Sequence, residues 1–173
     1  GVPVSERRLE LGGISTAVLE GGSGDPILLL HGPGEHAVKW MRVIPDLVAT
    51  HRVVAPDLPG HGSSEVTGGP ITPDRVLAWL GELIEQTCSS PPALVGQIVG
   101  GAIAARFAAH QGDRITHLVL VDALGLAPFQ PAPQFAAALT EYLARPNHDT
   151  SEGRWRQGAF EFDRVRDQTG ERW

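Results

Sequence analysis

The residues best suited to chemistry fall in three short stretches: His31-Gly32-Pro33-Gly34-Glu35-His36, Asp57 to Ser64, and Gly96-Gln97-Ile98-Val99-Gly100-Gly101. A glycine-rich turn lets backbone approach a ligand closely, because glycine has no Cβ. Glu35 and His36 could move protons at a pocket mouth without a covalent intermediate. The plainer reading is a helix start, where a glutamate favours the positive end of the helix dipole. The third stretch has the Gly-x-nucleophile-x-Gly spacing of a sharp strand-to-helix turn, with its middle residue exposed at the helix N-terminus. Ile98 stands in that middle position. A branched hydrocarbon cannot attack a carbonyl, and no base can activate it. Its β-branching also makes a strained backbone costly there. An engineered removal of a nucleophile would ordinarily use alanine, so Ile98 is read as natural.

The remaining reactive side chains have plainer readings. Asp57 to Ser64 is rich in turn formers and is read as a brace, with Asp57 and His61 structural. Asp122 ends a strand and ties down the next loop. His148 follows Pro146-Asn147 and reads as a solvated loop histidine. Cys88 is the single cysteine, so neither an intramolecular disulfide nor a thiolate metal cluster is expected. No metal-ligand spacing and no phosphate-cradling loop occurs, so neither a metal nor a cofactor is expected. The formal net charge of −6, with Lys39 as the only lysine, gives no electrostatic footprint for nucleic acid. No basic segment leads into an apolar run at the start, and no apolar stretch approaches the roughly 20 residues of a membrane span. The expectation is a cytoplasmic protein without membrane attachment.

The elements that would carry these stretches follow from the apolar pattern. Arg7 to Leu11 and Ser15 to Glu20 alternate as two strands around Gly12-Gly13, a hairpin signal. Pro26 to Leu30, Arg52 to Ala55 and Ala93 to Val95 are short apolar runs suited to strands buried on both faces, and Ile115 to Val121 is a sixth strand. Trp40, Val43, Ile44, Leu47 and Val48 recur at helical spacing. Thr72 and Pro73 look like the N-cap and first position of a helix running to about Cys88, and the Ala-rich segment from Ile98 to His110 is a third helix. Strands alternating with helices mean parallel βαβ units, hence a doubly wound, mostly parallel α/β sheet of six strands. Past Asp122 the character changes, with three prolines and then two segments read as helical.

The three stretches, in this order and each at a strand end, resemble the α/β-hydrolase superfamily, in the branch of small esterases and C–C bond hydrolases. The resemblance runs through the sixth strand and into the start of a helical cap, which divides the chain into a core over 1–127 and a cap segment over 128–173. It implies a pocket at His31, Gly32, Pro33, Gly34, Gln97 and Val99, with oxyanion N–H groups from the Gly32–Gly34 turn and from Val99. It places the triad acid and histidine after later strands, although some relatives carry the acid after the sixth strand, near Asp122. The implied partner is a small, largely apolar carbonyl or ester-like compound. Ile98 excludes a serine acyl-enzyme, leaving non-covalent acid–base chemistry, a cofactor-free lyase or cyclase using the oxyanion hole, or a pseudoenzyme that only binds. A six-strand sheet would also leave an uncovered edge, inviting pairing with a second copy or with the remainder of the same chain.

Overall fold

The computed structural model describes residues 4–126 and, beyond them, only positions 133, 134, 136, 137 and 140. The chain divides at Ala127/Pro128, and the architecture below is that of the first unit, Gly1–Ala127. The cap expected over 128–173, with His148, lies almost wholly outside the described residues.

A hairpin opens the fold: β1 (Val4–Leu11) pairs antiparallel with β2 (Ile14–Gly21). Gly12 and Gly13 both have positive φ, 55° and 77°, as a tight two-residue turn between right-twisting strands requires. β3 (Asp25–Leu30) and β4 (His51–Pro56) follow, then a two-residue strand, β5 (Glu65–Val66). β6 (Ala93–Gln97) and β7 (His117–Val121) complete a seven-stranded sheet of order β1-β2-β4-β3-β6-β7, with β5 on the side of β2. Pairings among β4, β3, β6 and β7 are parallel, and those of β2 are antiparallel. This is the doubly wound, mostly parallel sheet that the alternation of strands and helices implied. It has one strand more, because a two-residue ladder such as β5 leaves no periodic trace in sequence.

Between β3 and β4 the expected single helix is replaced by a 3₁₀ turn (Ala37–Arg42) and a one-turn helix, α1 (Ile44–Leu47). Pro45 is the cause: it has no N–H to donate to the carbonyl four residues back, so the helical ladder cannot run through it. α2 (Pro73–Thr87) starts as its sequence indicates, with Thr72 Oγ1 accepting from the Arg75 N–H at 3.2 Å. α3 spans Val99–Gln111.

The main core packs α2 and α3 on the sheet through Leu28, Leu30, Val54, Leu80, Leu83, Leu94 and Phe107, all fully buried. A smaller cluster of Leu29, Ile44, Val53 and Ala55 lies apart from it. The strand order ends at β7, where Leu118, Val119 and Val121 are 38%, 47% and 39% exposed.

Candidate functional site

The parallel register of β3 and β6 pairs Leu30 with Gly96, so the loop after β3 and the turn after β6 emerge side by side. The glycines of that turn are dictated by packing. A Cβ on Gly96 would overlap the Gly100 carbonyl. One on Gly100 would overlap the Leu30 carbonyl and lie 2.6 Å from that of His31, and one on Gly101 would lie 2.6 Å from the Ala123 methyl. α3 is thereby drawn tight against the strand ends.

At the apex, Ile98 adopts φ 50° and ψ −106°, a region that L-residues rarely occupy. Its N–H donates to the Val121 carbonyl at 3.0 Å, and its carbonyl accepts from Ala102 at 3.0 Å and Leu124 at 3.1 Å. The elbow is thus clamped between β6, α3 and the segment after β7. Asp122, at φ 49°, belongs to that clamp and is exposed. Val99 opens α3, and an N–H at a helix start has no acceptor within the helix.

His31 is fully buried, and both ring nitrogens are engaged within the chain. Nδ1 donates to the Gly32 carbonyl at 2.7 Å and Nε2 accepts from the Leu58 N–H at 2.9 Å, an arrangement that requires the neutral ring. Burial accordingly holds its pKa below the ordinary imidazole value, with the nearby His61 adding to the effect. His31 therefore ties the loop after β3 to the loop after β4 and positions the site. Asp57 does the same for the next layer, accepting from Ala37 N–H at 2.6 Å and Ser63 N–H at 2.7 Å.

Glu35 and His36 diverge. The Glu35 side chain is only 8% exposed. Its Oε2 accepts from the Gly32 N–H at 3.0 Å and its Oε1 pairs with Lys39 Nζ at 2.6 Å. A Cβ on Gly32 would lie 3.0 Å from that Oε2 and 3.4 Å from Ile98 Cδ1, so carboxylate and hydrocarbon flank the same glycine. His36 is exposed and lines a different cavity of about 290 Å³, with Glu6, Asp57 and Ser63. Among the expected site residues, the structure gathers Gly32, Glu35, Gln97, Ile98 and Val99 near the elbow and leaves His36 outside.

A second feature was not foreseen. Val99 also lines an apolar groove of about 480 Å³, with Leu58, Ile71, Val76, Ile103 and Arg106. Its volume lies within the usual range for small-molecule sites. The spacing of Val99, Ala102, Ile103 and Arg106 on one face of α3 was the available signal, diluted by the surrounding alanines. Among the described residues, no group of three or more His, Cys, Asp or Glu is placed to hold a metal. No helix among them is long and apolar enough to cross a membrane.

A mostly parallel sheet whose fifth long strand ends in a positive-φ residue between glycines, beside a His-Gly loop, defines the hydrolase type of α/β protein. The sequence matches the family described as alpha/beta hydrolase fold over residues 25–167, and the chain belongs to that family. It is 33% identical over 125 residues to the 2-hydroxy-6-oxo-6-(2'-aminophenyl)hexa-2,4-dienoic acid hydrolase of Metapseudomonas resinovorans, covering 70% of this chain and 43% of that protein. It is 37% identical over 109 residues to the magnesium-chelatase 30 kDa subunit of Rhodobacter capsulatus, covering 58% of this chain and 37% of the other. Among solved structures, the 2-hydroxy-6-oxo-6-phenylhexa-2,4-dienoate hydrolase of Rhodococcus sp. strain RHA1 superposes with a TM-score of 0.79 at 27% identity, over 90% of this chain and 59% of that one. The chain spans less than half the length of these two curated relatives.

Proposed function

We propose that this chain forms part of a hydrolase-fold protein that binds a small, largely apolar carbonyl compound and makes no acyl-enzyme on it. One observation carries the reading: Ile98 occupies the apex of a fully formed elbow, at φ 50°, where a nucleophile would be presented. The apolar groove at Val99 supports the apolar character of the ligand. Relatives named as hydrolases of oxo-dienoic acids support the carbonyl. The test uses full-length protein and p-nitrophenyl butyrate. The expected result is saturable competition by the ester for a bound hydrophobic dye, with no burst of p-nitrophenol and no mass added to the protein. A burst matched by an acyl adduct would overturn the proposal.

A second reading, acid–base catalysis without a covalent intermediate, is favoured by the Glu35 carboxylate beside Ile98. It rests on Glu35 alone, since His36 faces another cavity. Turnover of a carbonyl substrate that disappears in Glu35→Gln would support it.

A further inference from the structure

In a site built to stabilise an oxyanion, backbone N–H groups point at a ligand acceptor. Here the Gly32 N–H already donates to Glu35 Oε2 at 3.0 Å. Pro33 has no N–H, so Gly34 is the remaining backbone donor of the turn. The Glu35 carboxylate, 8% exposed, accepts hydrogen bonds and cannot donate them.

We propose that Glu35 sets the ligand specificity of this site, so that it takes neutral carbonyl compounds bearing a hydrogen-bond donor next to the carbonyl, such as primary amides or α-hydroxyketones, and rejects carboxylates. The inference rests on the binding role proposed above. The carbonyl oxygen of such a ligand would face the amide at the start of α3, at Val99, and its donor would face Glu35. A carboxylate brings a second negative charge against a side chain that is 8% exposed, where screening by solvent is weak. Lys39, 41% exposed, pairs with Glu35 Oε1 at 2.6 Å and tempers the repulsion. Ile98 fits the same reading, because it brings a hydrocarbon rather than a competing polar group to the other flank of Gly32.

The experiment compares three probes of one size, benzamide, acetophenone and benzoate, titrated at pH 7.5 into full-length protein by ligand-observed NMR. The expected order is benzamide, then acetophenone, with benzoate at least tenfold weaker than benzamide. In Glu35→Gln the benzoate penalty should shrink to within about threefold. In Lys39→Gln, which keeps the Glu35 carboxylate and removes its cation, the benzoate penalty relative to benzamide should grow, so the proposal does not depend on the fold tolerating the Glu35 change. Benzoate binding as tightly as benzamide in the wild type, or a ratio unmoved in either variant, overturns the role of Glu35 alone. Failure of all three probes to bind overturns the binding reading and this proposal with it.

Discussion

The strain at Ile98 can be measured by replacing it with glycine and, separately, with alanine. Both changes remove the same atoms beyond Cβ, so that lost burial cancels and only the single Cβ and the backbone differ. At φ 50°, ψ −106° an L-residue costs roughly 1–3 kcal/mol, which glycine avoids. Glycine gives back roughly 0.4–1 kcal/mol through the greater freedom of its unfolded chain. The two ranges leave a difference of about 0–2.6 kcal/mol, so Ile98→Gly should be more stable than Ile98→Ala by about 1 kcal/mol. At an ordinary helix or strand position the sign is opposite, with glycine lower by roughly 0.5–1 kcal/mol. Urea denaturation of the full-length variants reads the difference. With a slope near 2 kcal/mol/M the glycine midpoint should lie about 0.5 M above that of alanine, with equal slopes. An alanine variant more stable than the glycine variant by about 0.5–1 kcal/mol, as at an ordinary position, would refute the elbow conformation on which the functional reading depends.

Three further outcomes follow from the layers beneath the elbow. The His31 pKa is lowered in the folded chain, so the unfolded chain takes up the proton first as pH falls. Its contribution to stability is complete above about pH 6.5 and is lost below it, down to the folded pKa. The denaturation midpoint of the wild type should thus fall more steeply from pH 7.5 to 5 than that of His31→Asn, and parallel curves would contradict the buried neutral ring. Asp57→Ala leaves the Ala37 and Ser63 N–H groups without their acceptor and should cost about 2–4 kcal/mol in the same assay, where a loss under about 1 kcal/mol would show that the brace is dispensable. Gly100→Ala drives a methyl into the Leu30 and His31 carbonyls and should cost about 1–3 kcal/mol, seen as a lower Tm by calorimetry, whereas an unchanged Tm would argue against the close approach of α3 to β3.

Much of this architecture is legible in the sequence because its signals are local. The β3, β4 and β6 runs are apolar, short and bounded by turn formers, and Thr72-Pro73 writes the start of α2 in two residues. What escapes is either too short or too distributed. β5 exists only through Ile14 pairing with Val66 and Ser15 with Glu65, which no window on the chain reveals. The split before α1 needed Pro45 to be weighed above the helical spacing of its neighbours. Adjacency misled most at Glu35 and His36. Two consecutive residues suggest a pair, but the extended backbone of His36, φ −153°, lets it face away from the glutamate that turns back onto Gly32. The groove draws on the loops after β4 and before α2 as well as on two helices, so its walls meet only in three dimensions.

The turn at Ile98 keeps its positive φ through hydrogen bonds to the main chain around it. Every contact that fixes the Ile98 backbone is made by main-chain atoms: Val121, Ala102 and Leu124 bond its N–H and carbonyl, and the glycines at 96, 100 and 101 admit the neighbouring backbone. None of these depends on the side chain at the apex. A strained conformation persists only where its surroundings over-determine it, and these hold even a β-branched residue at positive φ. The Ile98 Cδ1 lies 3.4 Å from where a Cβ on Gly32 would sit, and Glu35 Oε2 lies 3.0 Å from the same point. Ile98 and the Glu35 carboxylate, which accepts from the Gly32 N–H, therefore flank one glycine.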